Sequence, residues 1–310
     1  MKQSDIAKTI TDSIISQLEK GVAPWVKPWS TKPDASAPNN PSTGTFYRGI
    51  NFIWLSLIQS SGEFGTSSKW MTYKQAQKVG AQVRKGAKGV SVVFYKPLAV
   101  QDVADATKTK LIPMIKSYTV FNTDFIDGLP LDDGIDTLEE KTEFQSLEEC
   151  EKFIQGTQAI IKHGGDKAFY APSVDFIQLP NKTDFRSNSD YYATALHELA
   201  HWTGHTSRVN RDFSKSKKWG DSSYAFEELV AELSAAMMCA HLKIDGQLQH
   251  ASYIDSWLKV LKQDSKAILK ASAEEQKAVD YLGKLSALGE FTGFDNTMDC
   301  LLYTSPSPRD

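Results

Sequence analysis

The chain has 310 residues, 41% of them hydrophobic and 24% charged, with a net charge of −3. That length exceeds the usual single domain, so two domains are the starting expectation, and the composition excludes disordered and fibrous classes. No stretch approaches the ~20 apolar residues that cross a bilayer, so no membrane partner is expected. Cys150, Cys239 and Cys300 are scattered without a C-x-x-C pair, which points to a reducing, cytoplasmic setting and away from a cysteine metal site.

The charge is unevenly placed. Residues 1–130 hold 14 Lys and 2 Arg against 9 Asp and Glu, a balance of +7, which leaves −10 for residues 131–310. A basic half joined to an acidic one is a recognised hint of nucleic-acid binding by the basic half.

Ile6, Ile10, Ile14 and Leu18 recur every four residues and the pattern stops at Lys20-Gly21, which predicts a helix over 4–20. Pro24, Pro28, Pro33, Pro38 and Pro41 exclude regular structure over 24–45. Thr72-Tyr73-Lys74-Gln75 has the form of a capping box and starts a short helix to about Val83. Residues 90–95 and 115–122 are rich in β-branched and aromatic side chains and read as strands, so the first domain, 1–130, is α+β.

Aromatic and cationic side chains interleave in this half: Trp25, Lys27 and Trp29, then Tyr47 and Arg48, then Trp70, Tyr73 and Lys74, then Arg84, Lys85, Lys88, Tyr95 and Lys96. Single-stranded nucleic acid is bound by this mixture, cations along the backbone and aromatic faces under the bases. Phe46, Phe52, Trp54, Phe94 and Phe121 are read as core, while for Trp25, Trp29 and Tyr95 a core position and a base-facing one are both open. The expected contacts to single-stranded DNA are Trp25, Trp29, Arg48, Trp70, Lys74, Arg84, Lys85, Lys88 and Tyr95. Arg84-Lys85-Gly86-Ala87-Lys88-Gly89 is the clearest cationic loop, although a plain solvated turn has the same composition.

Residues 131–149, with eight carboxylates from Asp132 to Glu149, are read as the linker. Beyond it a second domain over 150–290 is expected to be mainly helical with a small sheet. Its elements are a helix near 146–162, an extended run over 170–180, the helix of the motif described next, a helix over 226–238, and helices over 251–272 and 274–286.

His197-Glu198-Leu199-Ala200-His201 has the form H-E-x-x-H. On a helix, residues four apart lie one turn above each other, so His197 and His201 can aim two imidazoles at one ion, and Glu198 between them can act on a water held there. Zinc brings the pKa of such a water to roughly 7, and the carboxylate can pass its proton to a leaving amine, which is peptide hydrolysis without a covalent intermediate. Asn188, Ser189 and Asp190 are N-cap candidates for this helix, and Gly204 ends it.

Catalytic zinc keeps three protein ligands. In the extended pattern with a third histidine, that position falls on Ser207, and His205 comes two residues early, so His205 is read as a helix-end residue or one behind the ligands. The run from Phe226 to Met238 carries Glu227, Glu228 and Glu232 on a strongly helical segment. Glu228 is assigned to the metal and Glu232, one turn on, to orienting a ligating histidine; Glu227 and Glu232 stay open as the third ligand, and a solvated acidic face is the bland reading. Tyr191, Tyr192, Arg208 and Tyr224 are weak candidates to donate to a developing oxyanion. The strand before the motif helix is expected to edge the cleft and pair with an extended peptide.

These residues resemble the ArdC antirestriction family. The first domain carries the resemblance in Gly21-Val22-Ala23-Pro24-Trp25 with Pro28-Trp29, Tyr47-Arg48-Gly49-Ile50-Asn51, Trp70-Met71-Thr72-Tyr73-Lys74-Gln75-Ala76, Arg84-Lys85-Gly86, Val93-Phe94-Tyr95-Lys96 and Tyr118-Thr119-Val120-Phe121-Asn122. The second carries it in the run from His197 to His205 and in Glu227-Glu228-Leu229-Val230-Ala231-Glu232. The resemblance implies a single-stranded-DNA-binding domain joined to a zincin-like metallopeptidase domain on a plasmid or phage. It further implies Zn²⁺, or another divalent ion such as Mn²⁺, as cofactor and a protein of the host restriction machinery as candidate substrate. Two other readings stand beside it: a non-catalytic DNA shield whose metal is structural, and a primase-associated single-strand-binding protein, since related amino-terminal domains occur in plasmid primases. Residues 300–310, from Cys300 to Asp310, match the translation of a transposase adapter sequence and are expected to be non-native.

Overall fold

The structure, a computed structural model, describes residues 3–23, 25, 37–101, 109–129, 143–211, 222–244 and 253–286. Trp29, the acidic run 131–142 and the tail 300–310 lie outside the described residues, as does the side chain of Tyr95.

The first helix, α1 (Gln3–Leu18), buries Ile10, Ile14 and Leu18 along the four-residue stripe legible in the sequence. Two short strands, β1 (Asn39–Asn40) and β2 (Thr45–Phe46), pair antiparallel within the proline-rich segment expected to be irregular. Then comes α2 (Ile50–Ser61), which no periodicity announces. Its apolar residues lie on every side, Phe52, Ile53, Leu55 and Leu57 all being buried, and a helix enclosed all round has no amphipathic stripe.

Strand β3 (Trp70–Thr72) leads into α3 (Tyr73–Lys78), where the capping box forms in full: the Thr72 hydroxyl accepts from Gln75 N–H and the Gln75 side chain accepts from Thr72 N–H. The helix stops five residues earlier than the sequence suggests, and Gln82–Val83 form strand β4 instead. The reason is Gly80 at φ +78°, which lets Ala81 N–H reach back to the Ala76 carbonyl at 2.9 Å and Gly80 N–H to that of Gln77 at 3.0 Å. A long antiparallel hairpin follows, β5 (Val90–Gln101) against β6 (Thr109–Asn122), with Val90 opposite Val120. The sheet order is β3-β6-β5, and β7 (Ile126–Asp127) pairs with β4 over a small separate core of Met71, Ala76, Ala81, Val83 and Ile126.

The second half opens with α4 (Glu143–Gly156), which takes in Glu148 and Glu149, read above as linker. This helix ends six residues short of expectation because the chain turns into β8 (Ile161–His163), a strand whose partner is distant in sequence. The extended run near 170–180 is a hairpin, β9 (Phe169–Ala171) and β10 (Phe176–Leu179), closed by Asp175 at φ +51°. Order in this sheet is β8-β10-β9, so β10, the strand immediately before the motif, is central and β9 is an edge. Four helices complete the half: α5 (Asn188–Thr203), α6 (Ser222–Leu242), α7 (Ile254–Gln263) and α8 (Ala267–Leu285). The break between the last two falls at Asp264, whose carboxylate accepts from Lys266 N–H and from Lys270 Nζ, rather than near residue 273.

One continuous apolar cluster runs through both halves, from Ile10 and Trp25 to Trp257 and Leu282. The Trp25 and Trp257 rings meet edge to face at 5.4 Å and 65°. Arg48 forms an ion pair with Asp280 of α8 across the same seam. Two family-sized units are present, but they share a hydrophobic interior.

Candidate metal centre

The motif helix α5 begins at Ser187, one residue before the earliest candidate, with the Ser187 hydroxyl accepting from Asp190 N–H at 3.1 Å. It ends at Gly204, which keeps a right-handed backbone (φ −71°), so the glycine is not required there for its conformational freedom. Against α5 lies α6, almost wholly buried from Ala225 to Ala240. Together the two helices set the site.

His197 Nε2 and His201 Nε2 are 3.2 Å apart. Glu228 on α6 places one carboxylate oxygen 3.5 Å from the first and the other 3.5 Å from the second. Behind each imidazole stands a further carboxylate: Glu232 is 3.4 Å from His197 Nδ1, and Glu227 is 3.3 Å from His201 Nδ1. His201 Nδ1 is hydrogen-bonded to Glu227, while His197 Nδ1 and Glu232 are at ion-pair distance only; with both hydrogens on that side, two ring lone pairs and the Glu228 charge face one another. A cation resolves the conflict. A tetrahedral ion with ligands at 2.0–2.1 Å needs ligand atoms about 3.3 Å apart; the two nitrogens are 3.2 Å apart, and each has a Glu228 oxygen at 3.5 Å. The residues present therefore fit a divalent metal held by His197, His201 and Glu228.

Burial alone would lower both histidines, but for His201 the Glu228 charge and bonds to Glu227 and Glu228 outweigh it and push the pKa up to about 9. His197 is raised well above the usual range in the same way, by Glu228 and Glu232 and the charge of Glu198. Glu228 is depressed in return, since the two histidines outweigh its burial. Glu198 behaves in the opposite sense: it is 6% exposed, and burial raises it against the pull of the two histidines. The backbone of Tyr170, on the edge strand β9, is among the groups that pull the Glu198 carboxyl down, so that strand lies near the motif carboxylate.

Sequence reasoning missed Arg211 and the part played by Glu227. Arg211 donates from Nε and Nη2 to the Glu227 carboxylate at 2.8–3.2 Å, from Nη1 to Thr203 Oγ1 at 2.8 Å and from Nη2 to the Ala200 carbonyl at 2.6 Å. No local period could have shown this, because the chain leaves α5 and turns back eight residues later. His205 does not join the set: its Nδ1 bonds Ser207 Oγ at 2.8 Å, away from the ligands. Of the weak oxyanion donors, Tyr191 bonds His163, Tyr192 donates to Glu151, and Arg208 is taken up by Asp175 at 2.5 Å and the face of Trp202. Tyr224 remains, its phenol near the Glu228 charge and 3.4 Å from the Tyr253 hydroxyl. A cleft of about 470 Å³ opens beside His197, lined among others by Asp166, Asp184, Arg186, Asp190, Glu232 and Tyr253.

The basic half differs more from expectation. Trp25 and Trp70 are fully buried, so neither ring is available to a base. Arg48 is engaged with Asp280, Arg84 with Asp127 at 2.7 Å, and Lys88 with Glu63 at 2.7 Å. Lys74 and Lys85 are exposed.

Residues 4–121 match the N-terminal domain of anti-restriction factor ArdC, and residues 148–274 match a zincin-like metallopeptidase family. An ArdC-type amino-terminal domain followed by a zincin-like domain is thus the class that fold and site define. Crystal structures of the antirestriction protein ArdC from plasmid R388, metal-free and Mn(II)-bound, are 39% identical with TM-scores of 0.75 and 0.73, over 91% of this chain and 98% of theirs. The chain belongs to the ArdC antirestriction family. An uncharacterized protein, y4eC, of Sinorhizobium fredii (strain NBRC 101917 / NGR234) is 35% identical over 90% of this chain and 92% of its own. Two DNA primase TraC proteins of Escherichia coli are 40% and 39% identical over 89% and 88% of this chain, which spans only 20% and 26% of their length. Among the described residues, no helix is long and apolar enough to cross a membrane.

Proposed function

We propose that this protein is a cytoplasmic antirestriction factor of a mobile element, binding single-stranded DNA through its basic half and carrying a zinc-dependent peptidase-type centre in the other. The observation that carries the reading is the convergence of His197, His201 and Glu228 on one point with Glu198 buried beside it. Bound Zn²⁺ supplies a Lewis acid for a peptide carbonyl and a water acidified to roughly pKa 7. Mn²⁺ suits the same nitrogen and oxygen donors, and the R388 relative has a Mn(II)-bound form.

His197, His201 and Glu228 hold the ion, while Glu227 and Glu232 fix the two imidazoles from behind. Glu198 takes the proton of the attacking water and returns it to the leaving amine. Tyr224, a phenol that burial keeps protonated, is the donor for the carbonyl oxygen. Glu198 also separates this reading from a structural metal site, which has no use for a base between its ligands.

The test combines three measurements on the purified protein: metal content, binding of labelled single strands against salt, and protection of incoming DNA by Glu198→Ala. Stoichiometric metal, salt-sensitive binding and loss of protection in the variant are expected. Full protection by Glu198→Ala would leave a DNA shield with a structural metal, and absence of single-strand binding would remove the DNA role. The likeness to TraC favours a second reading, a primase-associated single-strand-binding protein, which stimulation of a primase's primer synthesis on single-stranded templates by this protein would select.

A further inference from the structure

Aromatic rings in the basic half are nearly all spent on packing. Trp25, Trp54 and Trp70 are buried, and Phe46, Phe64, Phe94, Tyr118 and Phe121 pack against the cores. Among the described side chains of this half, Tyr73 is the aromatic that stays exposed, at 41%. It is the first residue of α3, and its hydroxyl accepts from the side-chain amides of Gln77 and Gln82, each at 3.3 Å. The ring is therefore tethered at its hydroxyl end while remaining open to solvent.

Its surroundings carry unspent charge. Tyr73 and Gln77 form one row on α3, and Lys74 and Lys78, also four apart, form the adjacent row. Both lysines are exposed, as is Lys85 after β4, and none has an ion pair with another described residue, unlike Arg84 and Lys88. The helix packs through Ala76 on the small separate core of Met71, Ala81, Val83 and Ile126.

We propose that the face formed by α3 and the turn into and out of β4 is the single-strand contact surface, with Tyr73 stacking on a base and Lys74, Lys78 and Lys85 against the phosphates. The proposal rests on the single-strand-binding reading above and moves its site away from the tryptophans. Stacking needs an unpaired base face, so single strands are preferred over duplex.

The experiment is fluorescence polarisation of a labelled oligothymidylate against the full chain over a range of salt, with thermal melts as a folding control. Tyr73→Ala is expected to weaken binding roughly 5- to 100-fold with an unchanged salt slope, and Tyr73→Trp to retain it. Lys74→Ala should flatten the slope by about 0.7. Wild-type affinity in Tyr73→Ala, or equal affinity of the wild type for duplex, overturns the placement. No binding by the wild type instead overturns the single-strand reading itself. If Tyr73→Ala fails to fold, photo-crosslinking of the wild type to bromodeoxyuridine strands decides: adducts on residues 73–85 support the surface, and adducts confined elsewhere sink it.

Discussion

Arg211 and His201 meet on one carboxylate: Glu227 accepts from Arg211 and faces His201 Nδ1 at 3.3 Å. Arg211 so braces the orientation of a candidate metal ligand from outside the motif. Removing it leaves Glu227 as a buried charge with less compensation. Arg211→Ala should destabilise the fold by about 3–5 kcal/mol, as loss of one partner of a buried pair does. In protein that still folds, the affinity for Mn²⁺ or Zn²⁺ should drop about 10- to 100-fold, read by calorimetric titration. Unchanged metal affinity would show that Glu227 does not need its arginine.

The ion itself should stabilise the native state by mass action. At a free concentration a hundred times its dissociation constant, one bound metal adds about 2.7 kcal/mol. Melting in Mn²⁺ or Zn²⁺ should thus exceed melting in chelator, and the gap should vanish in His197→Ala. A gap that persists in that variant would place the stabilising ion elsewhere.

Glu275 gives the pH dependence. It lies on α8 near Arg48, 1% exposed, and neither carboxylate oxygen has a hydrogen-bond partner among the described residues. Burial raises its pKa well above the ordinary value, against the pull of Arg48. The folded state then holds a proton that the unfolded state releases from about pH 4.3 upward, so stability falls as pH rises. The loss is about 1.4 kcal/mol for each unit over which only the folded state stays protonated. Glu275→Gln should match the wild type near pH 4 and melt higher at pH 8. Parallel melting curves at both pH values would contradict a neutral Glu275.

Trp25 distinguishes a structural role from a nucleic-acid one. Its ring is enclosed against Trp257. Truncation to Ala should cost about 3–5 kcal/mol in denaturant unfolding. In whatever fraction remains folded, single-strand affinity should hold within about twofold. Loss of binding without loss of stability would mean that the ring reaches DNA after all.

What could be read from the sequence followed period. The four-residue spacing of α1 survives in the fold because that helix keeps one face against a neighbour, and those of the motif and of Glu228 with Glu232 survive because both helices run unbroken through their charged residues. α2 was invisible because it has no polar face, and β8 because its partner β10 is thirteen residues away across another strand. The tryptophans misled for a related reason: proline and lysine neighbours describe the chain around Trp25, not the indole of Trp257 that comes from the other half. That His197, His201 and Glu228 come together is legible from spacing and helix pattern; Arg211, which braces Glu227 beside them, is not, since it is fixed only once the chain has returned.

The seam between the halves also bears on engineering. Each unit supplies part of the other's wall, through Trp25 against Trp257 and Arg48 against Asp280. A fragment cut between them exposes an indole and strands a guanidinium, so a soluble stand-alone piece calls for polar replacements at Trp25 or Trp257. A chimera that borrows either unit from a relative must import a matching ring and carboxylate as well. Swapping one unit without its partner's matching residues leaves a buried ring or charge uncovered.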